Sequence, residues 1–188
     1  MRRTLALLSL AAGVAFAQDR LPMQDDLWRE FDLYRTRLLD LARSIPDDKF
    51  DFRPAPDVRS IKEVVLHVGL NNYMLLDMMG RAVPDELYPN LPQKQPDRMR
   101  AIAQGNVKLE KSIVGKQKSI AAAERAFAAV DDAMKSTSAA GLNAPAMFFD
   151  RKTTMGGLQL RAVAHLHEHL GQLIAYARSV GVVPPWSQ

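Results

Sequence analysis

The sequence predicts an all-α four-helix bundle with a long crossover between its second and third helices. Apolar residues recur at helical spacing in several long segments. Clear start and stop signals bound those segments. No segment shows the sustained period-two alternation that is typical of a sheet. With 188 residues, 47% of them hydrophobic, the chain suffices for one domain with a sizeable core.

The N-terminal segment predicts export. Arg2 and Arg3 precede an apolar run from Leu5 to Ala17, which ends in small residues at positions 15 and 17. This pattern is typical of a signal peptide that is cleaved after residue 17. An uncleaved anchor is the weaker alternative, because the run is shorter than the roughly 20 residues that cross a bilayer. We therefore expect a signal peptide over 1–17 and one periplasmic or secreted domain over 18–188, without stable membrane insertion.

Composition excludes several classes of protein. The absence of cysteine excludes disulfides, thiolate zinc sites and an acylated cysteine anchor. The formal net charge of +4 is halved when Arg2 and Arg3 leave with the signal. Four lysines cluster in the second half of the chain: Lys108, Lys111, Lys116 and Lys118. No aromatic residues interleave with them, so we predict a solvated helix face and no nucleic-acid partner.

The first two helices have well-marked ends. The first carries an apolar stripe at intervals of three and four residues: Leu27, Phe31, Tyr34, Leu38, Leu41 and Ile45. Asp25 or Asp26 can cap it, and Pro46 stops it. The second begins with a capping box of Ser60 and Glu63 and ends at Gly80.

The second half of the chain predicts two further helices. The proline-rich segment 81–97 is long enough to cross the length of a bundle. A third helix is expected over 98–136, although Gly105 and Gly115 weaken its first half. A fourth begins between Met155 and Leu158 and ends before Gly181, and Gly171 within it predicts close packing on a neighbour. The residues of the third helix that are expected to face inward are Ile113, Ile120, Phe127, Val130 and Met134.

Histidine placement is the most informative chemical feature. Of four histidines, His67 lies in the second helix and His165, His167 and His169 lie in the fourth. Residues four apart share a helix face, so His165 and His169 can point at a common spot while His167 turns away. The stripe that contains His67 is expected to face the bundle interior. Three imidazoles meeting there would form a metal site with an open position for water or substrate.

Each of these residues also has a structural alternative. His67 could be a hydrogen-bonded core residue, and the pair on the fourth helix could lie on a solvated face. Asn71 could bond a metal-bound water or a core amide, and Gln172 could orient a ligand or satisfy a buried carbonyl. Glu168 lies on the wrong face to act as a base for the metal.

Two segments resemble the DinB/YfiT-like family. These are 53–68, which opens the second helix, and 165–173 with its tail through Pro185, which is similar to that family's closing HxxxHxGQ helix. The resemblance spans most of the predicted mature chain and implies a four-helix bundle that binds a divalent metal through a histidine triad. Residue by residue, that triad falls on His67, His165 and His169. Such families include thiol-dependent S-transferases and a maleylpyruvate isomerase.

Two functions follow as hypotheses. The first is an exported metal-dependent transferase or hydrolase acting on an unknown small molecule, with zinc or nickel as the expected ion and no general base identified. The second is a non-catalytic metal- or ligand-binding protein that uses the same site. A homodimer remains one option for its assembly.

Overall fold

The structure is a computed structural model that describes residues 23–187. The predicted signal peptide lies outside these residues, as do the first five positions of the predicted mature domain. Five helices make up most of the described chain: α1 Met23–Ser44, α2 Ile61–Met78, α3 Asp97–Ser112, α4 Lys116–Lys135 and α5 Met155–Ser179. Within 23–187 no helix has the length and apolarity needed to span a membrane.

Four of the five helices form the predicted bundle. In order around the bundle, α1 packs on α4, α4 on α2, α2 on α5, and α5 on α1. Their shared core includes Phe31 and Phe127, whose rings meet edge to face with centroids 6.1 Å apart. Contacts such as Arg81 with Ser136 show that α2 and α4 run parallel. The bundle prediction is confirmed.

The expected third helix is two helices. It breaks at Ile113–Gly115 because Gly115 adopts a φ of +90°, a left-handed conformation that cannot continue an α-helix. Only α4 joins the bundle, whereas α3 packs on the outside of α2. Of the predicted inward residues, Ile113 at the break is only half-buried, and the other four are buried.

The long crossover exists, but a different segment crosses. Arg98 at the start of α3 bonds Asp77 at the end of α2, and Glu110 near the end of α3 reaches His67. The proline-rich segment therefore turns at one end of the bundle, and α3 runs back antiparallel to α2. This return allows α4 to start at the same end as α2.

A small hairpin was not expected from the sequence. Strands β1 Pro145–Phe148 and β2 Arg151–Thr154 pair antiparallel across a turn at Phe149, whose φ is +55°. Four-residue strands are too short to show a period, and the turn lacks the glycine or asparagine that signals a hairpin. The prediction of no sheet is therefore wrong for this segment.

Local helix signals behave as predicted, with one exception at the start of α1. Ser60 and Glu63 form the capping box, and Gly80 and Gly181 end α2 and α5 with φ of +70° and +83°. Asp25 and Asp26 lie inside the first turn of α1 instead of capping it.

The close approach between helices occurs at a different glycine. A Cβ on Gly171 would touch nothing within 4 Å, so the packing role predicted for it is wrong. A Cβ on Gly69 would instead lie 2.5 Å from the Cα of Ala123, which means that α2 and α4 approach closely there.

Candidate metal centre

Three histidines from two helices meet in the bundle. His67 lies midway along α2, and His165 and His169 lie four residues apart on the facing side of α5. All three are half-buried, and one ring nitrogen from each lies within 4.8 Å of the others. The structure thus brings together the three residues that the sequence analysis singled out.

The spacing of the rings fits a shared cation. The Nε2 atoms of His67 and His165 are 3.3 Å apart, and the ring centroids of His165 and His169 are separated by 4.6 Å. Two nitrogens bound tetrahedrally to zinc at its usual distance lie about 3.3–3.4 Å apart. The donor set therefore suits a divalent ion of the imidazole-binding class, with coordination positions left open.

The surroundings of His165 and His169 favour their neutral rings. Burial, followed by the nearby His169 and His67, lowers the pKa of His165 to about 3. Burial also lowers the pKa of His169, although its hydrogen bond to Gln172 opposes the effect. Neutral imidazoles keep a lone pair for a metal, whereas protonated ones do not.

A buried carboxylate on α3 fixes the ring of His67. Glu110 is 6% exposed, and its Oε1 lies 3.1 Å from His67 Nδ1 while its Oε2 accepts from Arg59 Nε at 3.0 Å. Burial alone would raise the pKa of Glu110, but the hydrogen bonds from His67 and Arg59 lower it overall. With a proton on Nδ1, the Nε2 lone pair of His67 faces the other rings.

Glu110 was not among the residues predicted for the site. Its signal was present, because the buried residues of α3 follow one stripe at intervals of three and four: Met99, Ile102, Asn106 and Glu110. A carboxylate that continues an apolar stripe is expected to be buried and paired. The neighbouring lysines instead predicted a solvated helix face for this segment.

The side-chain amides of Asn106 and Asn71 form a hydrogen-bonded chain that reaches the ring of His67. Asn106 donates to the carbonyl of Leu70 at 3.2 Å and to Asn71 Oδ1 at 3.3 Å, so its own oxygen faces the Tyr88 hydroxyl. Asn71 consequently turns its amide nitrogen toward His67, 3.0 Å from Nδ1 and 3.1 Å from Nε2. Of the two options for Asn71, the contact with a core amide is the one observed, and Asn71 also contacts the His67 ring.

Gln172 holds the third ring. Its Oε1 lies 2.7 Å from His169 Nδ1, and its Nε2 donates to the Tyr176 hydroxyl at 3.0 Å. Of the two options for this side chain, orientation of a candidate ligand is the one observed. His167 and Glu168 are exposed outside the cluster, and His167 stacks against Tyr34 with centroids 4.6 Å apart.

Comparisons with known proteins agree with this architecture. The family model described as the DinB superfamily matches residues 30–173. A DinB-like protein from Bacillus cereus ATCC 10987 is 17% identical, with a TM-score of 0.57 over 86% of this chain and 95% of its own. A conserved protein from Enterococcus faecalis is 13% identical, with a TM-score of 0.63 over 85% and 97%. No curated protein sequence matches significantly. At these identities the solved structures support the fold alone.

Proposed function

The chain belongs to the DinB superfamily, and from that premise we propose that it binds a divalent metal through His67, His165 and His169. With this ion it works as a metal-dependent transferase or hydrolase on a small molecule. The observation that carries the proposal is the convergence of three imidazole nitrogens within 4.8 Å of one another. Zinc or nickel is the proposed ion, because three neutral imidazoles suit both.

The residues around the cluster support this role. Glu110 and Gln172 engage the Nδ1 atoms of His67 and His169 and so orient their Nε2 lone pairs inward. When bound, a divalent ion would act as a Lewis acid that polarises an electrophile or activates a nucleophile near neutral pH. The protein itself contributes ring orientation, a partly buried setting and an open side for a ligand.

Elemental analysis of untagged protein tests the metal site. We expect about one equivalent of zinc or nickel per chain in the wild type, falling close to zero in His67→Ala and His165→Ala. His167→Ala is the matched control, because this exposed histidine lies on the same helix outside the cluster. Equal metal content in all four proteins, with helicity retained, would refute the site.

A non-catalytic metal- or ligand-binding protein is the second candidate. One observation favours it: both oxygens of Glu110 are engaged, by His67 and by Arg59, so this carboxylate is not free to act as a general base. Metal-loaded protein screened for thiol conjugation and for ester and amide hydrolysis separates the two candidates. Turnover that disappears in His67→Ala supports the enzyme, and its absence across the screen supports the binding protein.

Export remains part of the proposal. It is supported by the charged, apolar and small-residue succession of residues 2–17. Intact-mass analysis after expression with the full leader is expected to give a chain that begins at Gln18 outside the inner membrane. Full-length protein retained in the cytoplasm would contradict it.

A further inference from the structure

An open hollow of about 570 Å³ lies beside the histidine cluster. It is formed by the loop before α2, the first turn of α2, the end of α3 and Gln172 of α5. Glu63 and Gln172 in its wall stand four residues before His67 and three after His169, respectively. The hollow therefore lies roughly one helical turn, about 5 Å, along the bundle from the cluster. Glu110 and Gln172 belong both to this wall and to the support of the histidine rings.

Arg59 is one of three cations in this wall that keep unused donors within residues 23–187, the others being Arg53 and Lys111. The Nε of Arg59 donates to Glu110 at 3.0 Å. Within residues 23–187 its two terminal nitrogens donate to no hydrogen-bond acceptor. Its side chain is 38% exposed. Arg53 differs in its anchor, because its Nη1 bonds Glu63 at 2.8 Å and the Val58 carbonyl, and Glu63 accepts from the Ser60 amide. The anchor of Arg59 instead contacts a histidine of the cluster.

A buried anchor holds the Arg59 guanidinium in place. Glu110 is itself fixed by His67, so the ion pair sets the orientation of Arg59 relative to the histidine cluster. A guanidinium held through Nε presents its terminal N–H groups as a planar fork. Such a fork binds a carboxylate through two parallel hydrogen bonds, which a lysine cannot reproduce.

The feature that distinguishes this hollow is its set of oriented N–H donors rather than its net charge. The carboxylates of Glu63 and Glu110 are paired with Arg53 and Arg59. Exposed Lys111 and exposed Asp57 also line the hollow, with opposite charges. A neutral molecule would gain little binding free energy in this hollow. A carboxylate would accept hydrogen bonds from the terminal N–H groups of Arg59 and would be attracted by the ammonium of Lys111.

We propose that the small molecule handled by this protein is an organic carboxylate, and that Arg59 binds its carboxylate group while the remainder extends toward the histidine cluster. This inference rests on the proposed function for the role of the cluster. Arg59 is thereby a specificity-determining residue, linked through Glu110 to the same ring that faces the metal position.

Calorimetric titration with succinate, and with its neutral diamide as the matched probe, tests the inference. We expect succinate to bind metal-loaded wild-type protein and the diamide to bind at least about tenfold more weakly, since a charge-assisted pair is lost. Arg59→Gln is expected to weaken succinate binding about 10- to 100-fold, and Arg59→Lys to an intermediate extent. Arg125→Gln, which removes an exposed arginine on α4, leaves the affinity unchanged.

Several outcomes would overturn the inference. These are equal succinate affinity in folded wild type and Arg59→Gln, equal binding of the diamide, or no saturable binding of succinate. Tighter, Arg59-dependent binding of inorganic phosphate would replace the carboxylate class with a phosphate class. Repeating the titration on chelator-treated protein keeps the two proposals apart. Arg59-dependent binding without metal supports the anion site even if elemental analysis refutes the metal site.

Discussion

Single residues decide how firmly the histidine cluster is held. Glu110 joins His67 of α2 to Arg59 in the preceding loop, and it is itself supplied by α3. Three segments of the chain are therefore tied together at one buried carboxylate. Its role toward a metal is indirect, through the orientation and basicity of the His67 ring.

Replacing Glu110 by glutamine tests this positioning role. We expect Glu110→Gln to lower zinc affinity about 10- to 100-fold, because the uncharged amide supports the ligating ring less well. Competition with a chelating indicator measures the affinity, and circular dichroism checks that the helices remain. Glu168→Gln, at an exposed carboxylate on α5, should bind zinc like the wild type. Unchanged affinity in Glu110→Gln would show that the contact does not support the metal site.

Gln159 is a second residue with a measurable consequence. It is fully buried on α5, and within residues 23–187 neither polar atom of its amide has a hydrogen-bond partner. An unpaired buried amide costs about 1–3 kcal/mol. Gln159→Met keeps a similar shape without that cost, so we expect the free energy of unfolding in urea to rise by about 1 kcal/mol. Exposed Gln117→Met is the control, and a less stable Gln159→Met would mean that the amide is paired in solution.

At the scale of helices, one carboxylate links α1 to α4. Asp131 accepts from Trp28 Nε1 at 2.6 Å and from Lys135 Nζ at 2.8 Å. Burial alone would raise the pKa of Asp131, but these hydrogen bonds and the charge of Arg35 lower it overall. Because the folded pKa lies below the unfolded one, ionised Asp131 stabilises the fold above about pH 4, and that stability is lost as the pH falls through the folded pKa.

Asp131→Asn is therefore expected to destabilise the protein in a pH-dependent way. The free energy of unfolding should fall by about 1–2 kcal/mol at pH 7, and the difference from wild type should shrink below about pH 4. Urea unfolding across this pH range measures both effects. Asp132→Asn, one residue along on the exposed side of α4, should show neither. A constant difference at all pH values would rule out ionisation of Asp131 as the cause.

At the level of the whole molecule, α3 has two roles: it is the connection between α2 and α4, and it supplies residues of the candidate site. Parallel neighbours α2 and α4 require a return path, and α3 provides it on the outer face of α2. The same path brings Glu110 against His67 and Lys111 to the adjacent hollow. The crossover is thus part of the candidate site as well as a connection.

Features that depend on neighbours within a turn or two could be predicted from the amino-acid sequence. The capping box at Ser60, the helix ends at Gly80 and Gly181, and the shared face of His165 and His169 all follow from local geometry. The choice of α1, α2 and α5 as bundle helices also follows, because apolar periodicity indicates which faces must be buried, whereas the division of the expected third helix into α3 and α4 did not follow from it. The inward stripe of the second helix predicted that His67 meets His165 and His169, and the resemblance to one family implied the same triad.

Contacts between residues that are distant in the sequence could not be predicted from local spacing alone. Glu110 and His67 are 43 residues apart, and His165 and His67 are 98 apart, so their contacts depend on how the helices dock. The docking of the helices also decides three other features: the hairpin, the outer position of α3 and the close approach at Gly69. Local spacing specifies the face on which a side chain lies, but the partner across that face is set by the packing of the entire core.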